Sequence, residues 1–179
     1  MKIEVRISGL GGQGVVLAGQ ILGRAAAYDG KNVVQTQSYG SEARGSAAKS
    51  EVIISEDKIG FPMVRKCDVL IALNQEAVEK NIKDLKEDGT LLMDSSIVKD
   101  VSMVQARVFK IPATQIAEEA CGEKLYANIV TLGALTEATH IVSEKAMERA
   151  IEDTFAGKGA DMNRLAYKKG KESIQHNIR

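Results

Sequence analysis

Ile3-Glu4-Val5-Arg6-Ile7 runs through Ser8 into Gly9-Leu10-Gly11-Gly12-Gln13-Gly14. The alternation of apolar and charged residues reads as a strand, and the glycines as the tight turn that leaves it. Gly9, Gly11 and Gly14 match the G-x-G-x-x-G spacing. From about Gln13 to Tyr28, the residues Ala18, Ile21, Leu22 and Ala25 recur at the spacing of one helical face. Strand, glycine turn and helix in that order predict the opening of an α/β sheet fold. In such a turn the backbone approaches a ligand closely, and the free N–H groups of the helix attract a phosphate or carboxylate. The alternative is that the glycines only let the helix dock tightly on the sheet.

The pattern repeats outward from this unit. Gly30 fits a helix stop, and Asn32–Gln37 a second strand. Glu51–Ser55 reads as a strand suited to antiparallel pairing, and Asp68–Leu73 as a central buried strand. A charged helix is predicted from about Gln75 to Lys86, a turn at Asp88-Gly89, and strands at Thr90–Asp94 and Arg107–Ile111. From Ala113 onward the pattern is helical, with breaks near Cys121–Lys124 and Gly157–Gly159. The expectation is one domain over residues 1–179: an α/β, Rossmann-like three-layer sandwich with a mostly parallel sheet and a helical C-terminal segment. That last segment, from Gly157, carries six basic and two acidic residues and reads as a solvated helix or a patch for an acidic ligand.

Ser38 to Ser50 stands apart, because thirteen residues pass with no Val, Ile, Leu, Met or Phe. It reads as a long polar loop at the carboxyl edge of the sheet, where α/β folds gather ligands. Tyr39, Glu42 and Arg44 stand out among its small residues. Arg44 is suited to a phosphate or carboxylate, and an internal Glu42–Arg44 pair is the plainer reading. Asn74 and Asp94-Ser95-Ser96 follow other strands and share this rim.

Composition narrows the function. The 179 residues include 24 Lys and Arg against 24 Asp and Glu, so the chain has no basic excess for nucleic acid. Aromatics are 4%, with no Trp, which disfavours base stacking. Two Cys and two His exclude a four-cysteine iron–sulfur or zinc site within the chain, and they leave few nucleophiles. The charged start does not resemble a signal peptide, and no apolar run approaches the roughly 20 residues of a membrane span, so a cytoplasmic protein is expected. A dinucleotide site needs an acid near the end of the second strand; here that strand ends Val34-Gln35-Thr36-Gln37. A free-standing NAD(P)-binding oxidoreductase is therefore the weaker reading, and a purely structural interaction subunit is a further one.

Read together, Gly9–Gly14 and Ser38-Tyr39-Gly40-Ser41-Glu42-Ala43-Arg44-Gly45 resemble the gamma subunit of 2-oxoacid:ferredoxin (acceptor) oxidoreductases. Ile111-Pro112-Ala113-Thr114, Asn128-Ile129-Val130-Thr131-Leu132-Gly133-Ala134, and Phe155-Ala156-Gly157-Lys158 followed by Asn163 match the same family in order. Ser46 departs from it, where a second glycine is usual. The compact 2-oxoglutarate type is the nearest in pattern, with pyruvate and ketoisovalerate types next.

The resemblance implies a hetero-oligomer that decarboxylates a 2-oxoacid and passes the acyl group to coenzyme A. It also implies alpha and beta subunits carrying thiamine diphosphate, iron–sulfur clusters on beta or on a ferredoxin-like delta subunit, and no catalytic residue or metal site here. Under it, Gly9, Gly11, Gly12, Gln13, Gly14, Tyr39, Glu42, Arg44 and Asn128 form a binding surface for coenzyme A or for a partner's carboxylate. Asn128 is either a contact there or a helix cap. No membrane or nucleic-acid partner is implied, and a homodimer is expected of the isolated chain.

Overall fold

A computed structural model describes residues 1–41 and 45–176 of the chain. The elements run β1 Lys2–Leu10, α1 Val15–Tyr28, β2 Asn32–Tyr39, β3 Ala47–Ser55, β4 Cys67–Ala72, α2 Gln75–Asn81 and β5 Leu85–Asp94. Then follow β6 Arg107–Ile111, α3 Ala113–Cys121, α4 Ala127–Thr139, α5 Glu144–Thr154 and α6 Ala160–Gln175. The six strands form one sheet in the order β2-β3-β1-β4-β5-β6. Only β3 runs against its neighbours; β1, β4, β5 and β6 are mutually parallel. The mostly parallel α/β sheet expected from the sequence is what forms.

Alternation sorts the strands into two faces. Val5, Ile7, Val52, Ile54, Val69, Ile71 and Leu92 face the large core that α1, α3, α4, α5 and α6 complete. Ile53, Leu70, Ala72, Leu91 and Met93 face a smaller core closed by α2 and the segments around Val64 and Val98. The helix α4 is buried on nearly all sides, from Asn128 to Thr136. Its Gly133 lies against the Tyr167 carbonyl, and Gly170 of α6 lies against the Val130 carbonyl. The two helices thus meet backbone to backbone, which only residues without a Cβ permit.

Some boundaries differ from those read in the sequence. The polar stretch is mostly strand: β2 continues to Tyr39 and β3 begins at Ala47, so the connection shrinks to a hairpin tip. Nine consecutive pairs, Lys2↔Ser55 through Leu10↔Ala47, hold β3 on β1 and override the low strand propensity of Ala47-Ala48-Lys49-Ser50. Helix α1 starts at Val15 rather than Gln13, and α2 ends at Asn81. Asp88-Gly89 lies inside β5, where the register with β4 slips between Cys67 and Val69.

One buried cation anchors the α2 side. Arg6 gives Nε and Nη2 to Glu51 at 3.3 and 3.2 Å, Nη1 to Asp84 at 2.7 Å, and Nη2 to the Val64 carbonyl at 3.0 Å. Burial disfavours its charge, but the Asp84 bond and the Glu51 charge prevail and raise its pKa. Glu51 is also its direct cross-strand partner on β3.

The α4–α6 contact is expected to be intolerant. Gly170→Ala drives a Cβ into the Val130 carbonyl and should lower unfolding free energy by about 3 kcal/mol in urea titration. Gly30→Ala, with open space around its Cβ, carries only a positive-φ penalty of roughly 1 kcal/mol.

Candidate functional site: a glycine-lined cleft at the carboxyl edge

The glycine turn is held from three sides. Gly11 N–H donates to the Ser46 carbonyl at 2.8 Å, tying the turn to the base of the hairpin. The Gln13 side chain accepts from Leu10 N–H at 2.7 Å and donates to the Leu73 carbonyl at 3.0 Å. A Cβ on Gly9 would stand 2.6 Å from Gln13 Oε1. Asn128 donates Nδ2 to the Gly14 carbonyl at 3.2 Å, and its Oδ1 accepts from Ile129 N–H at 2.9 Å. Tyr126, not Asn128, occupies the cap position of α4.

The residues singled out in the sequence therefore divide. Gly11, Gly12, Gly14, Tyr39 and Asn128 line one cleft of about 580 Å³. Gly9 and Gln13 support the turn instead, and Gln13 faces a neighbouring cleft of about 400 Å³ bounded by Leu73, Asp94 and Thr114. Glu42 and Arg44 lie outside the described residues. Asn74 caps α2 through Ala77 N–H at 2.8 Å, and Asp94 binds the N–H and hydroxyl of Thr114, so both are structural.

The larger cleft has a pattern that single motifs do not reveal. Helices α1, α4 and α6 all begin on it. The α1 and α6 caps are Gly14 and Gly159, both left-handed and without a side chain to fill the first-turn N–H groups. Each cap carbonyl is held by a buried asparagine: Gly14 by Asn128, and Gly159 by Asn163 at 2.8 Å. Lys158 precedes α6 and lines the same space. Among the described residues it has no ion-pair partner. The walls are apolar, from Leu10, Val15, Val16, Leu17, Leu125 and Phe155. Leu125 is 63% exposed and Tyr39 61%, at the rim. The chemistry offered is an apolar slot whose polar end presents backbone N–H groups and one ammonium to an anion.

Lys158 and Asn163 belong to a stretch quoted for the family resemblance, but no local rule marks them as site residues. They reach the cleft through the meeting of two αL glycine caps that are 145 positions apart, Gly14 and Gly159. The crevice between β1 and β4, where the connections diverge to opposite sides of the sheet, is spanned by Gln13. Nucleophiles are poor. Burial pushes the Cys67 thiol up to about 11 and raises that of Cys121 as well. Among the described residues no group of three His, Cys, Asp or Glu side chains is placed to hold a metal. No described helix is long and apolar enough to cross a membrane.

Residues 4–173 match the family model described as pyruvate ferredoxin/flavodoxin oxidoreductase. The 2-oxoglutarate synthase subunit KorC of Methanocaldococcus jannaschii is 52% identical over 175 residues, covering 96% of this chain and 94% of that protein. A solved keto/oxoacid ferredoxin oxidoreductase gamma subunit from Geobacter sulfurreducens superposes with a TM-score of 0.87 at 43% identity, covering 97% and 99%. A 2-oxoglutarate:ferredoxin oxidoreductase from Magnetococcus marinus, solved with 2-oxoglutarate, coenzyme A and succinyl-CoA bound, gives a TM-score of 0.90 at 27% identity. It covers 98% of this chain and 31% of its own, so there the fold is one part of a longer polypeptide.

Two outcomes check the site's construction. Gln13→Glu replaces the amide donor to Leu73 with a carboxylate and should lower stability by about 2 kcal/mol in chemical denaturation. Both thiols should resist iodoacetamide at pH 8 in the folded chain and react on unfolding, followed by mass spectrometry.

Proposed function

The chain belongs to the pyruvate ferredoxin/flavodoxin oxidoreductase family as its gamma-type subunit, and we propose that it forms the coenzyme A side of a 2-oxoglutarate-oxidising complex. The observation that carries this reading is the convergence of the glycine-capped α1 and α6 termini, with Lys158, on one apolar cleft. Coenzyme A is anionic at its phosphates and slender and weakly polar along its pantetheine arm. The N–H groups and Lys158 bind the anionic part, and the walls from Val16 to Phe155 bind the arm. Tyr39 shapes the rim. The sequence assigns Arg44 a further charge-assisted contact, with Glu42 as its partner.

The reaction releases carbon dioxide from the 2-oxoacid, passes an electron pair to the acceptor, and joins the acyl group to the thiol sulfur. Thiamine diphosphate and iron–sulfur clusters on alpha, beta and ferredoxin-like delta partners supply the electronic chemistry. This chain contributes position. It holds the thiol-bearing substrate at a fixed distance and keeps water from its apolar length. The choice of 2-oxoacid lies with the thiamine-binding partners, and the cytoplasm is the compartment that suits this chemistry.

In the reconstituted complex, Lys158→Ala and Arg44→Ala should each raise the KM for coenzyme A about tenfold with kcat within about twofold, a loss of about 1.4 kcal/mol. Unchanged assembly, KM and turnover in both would overturn the assignment. Thermal stabilisation of the isolated chain by NAD(H), but not by coenzyme A, would favour a free-standing nucleotide-binding oxidoreductase instead.

A further inference from the structure

The two edges of the sheet are built differently. The β6 edge is five residues long and carries Arg107 and Lys110. Short length and cations are the usual guards against another strand pairing there. The β2 edge is Asn32-Val33-Val34-Gln35-Thr36-Gln37-Ser38-Tyr39, without charge or proline. It pairs with β3 over all eight residues with no register shift, so no bulge twists it away. Its outer row of N–H and C=O groups is a straight, unguarded template.

We propose that β2 is an assembly edge that pairs antiparallel with β2 of a second copy of this chain, joining two six-stranded sheets into one. A two-fold axis normal to the sheet keeps each face continuous. Pairing with β3 fixes those faces. Val33, Gln35, Gln37 and Tyr39 share the α1 side with Ile54, Val52, Ser50 and Ala48; Val34, Thr36 and Ser38 share the other. An axis through Thr36 sets Thr36 against its own equivalent and Val34 against Ser38. It also sets Val33 against Tyr39, an aliphatic–aromatic cross-strand pair. Tyr39, 61% exposed and a rim residue of the cleft, gains a neighbour. No like charges meet along the strand. With 24 basic and 24 acidic residues, two copies carry no net repulsion.

The full-length chain, measured by light scattering over a wide concentration range, is expected to be a dimer in equilibrium with monomer. Thr36→Lys places an ammonium opposite Glu51 of β3, which supports the monomer fold, and opposite its own copy across the axis. Dimerisation should weaken roughly tenfold or more, with an unchanged circular dichroism spectrum. Thr36→Cys should give an oxidised covalent dimer, while the wild type, with both cysteines buried, gives none. A wild type that is monomeric throughout, a dimer insensitive to Thr36→Lys, or Thr36→Cys cross-linking only to another subunit of the assembled complex would each overturn the proposal.

Discussion

The reversed strand β3 is the constraint on which the rest of this domain depends. Because it runs antiparallel between β1 and β2, the chain must double back at the carboxyl edge of the sheet. That return sets the hairpin beside the glycine turn, and the Gly11 to Ser46 hydrogen bond joins them. On the opposite face the same pairing sets Glu51 directly across from Arg6. The buried guanidinium then reaches on to Asp84 and Val64 and fastens α2 and its neighbouring segment to the sheet.

Local signals were readable wherever the residue type itself dictated the geometry. The apolar alternation of Ile3–Ile7, the glycine turn and the buried run before Asn74 all kept their identity in the fold. The stretch from Ala47 to Ser50 did not, because small polar residues become strand only when both neighbours are strands already. Ser50 shows why: its hydroxyl takes the Gln35 amide, and Gly19 of α1 leaves room for it. These are tertiary facts. Lys86, which by sequence pattern closes the helix that begins at Gln75, lies instead in β5, because its ammonium finds Asp68 on the neighbouring strand rather than a helical neighbour.

The site was half legible for the same reason. Glycines announce a turn, but an asparagine does not announce which carbonyl it will hold. Asn128 and Gly14 are separated by 114 positions. Gln13 sits inside the motif, and only the fold shows that its side chain braces the end of β1 against the residue that follows β4. Scarcity of catalytic side chains was informative from the start. A cleft that offers mainly peptide N–H groups is not advertised by composition, and in the Magnetococcus marinus oxidoreductase the same fold makes up 31% of a longer chain.

The glycine contact between α4 and α6 has a thermodynamic consequence. Side-chain interfaces can slide by exchanging rotamers, whereas carbonyls seated against bare Cα atoms have no rotamers to exchange. Both helices begin at the cleft, so the spacing of their termini is set before any ligand arrives. For the coenzyme A reading proposed above, the α6 end of the site is therefore pre-set against α4, and there the entropy lost on association falls mainly on the ligand.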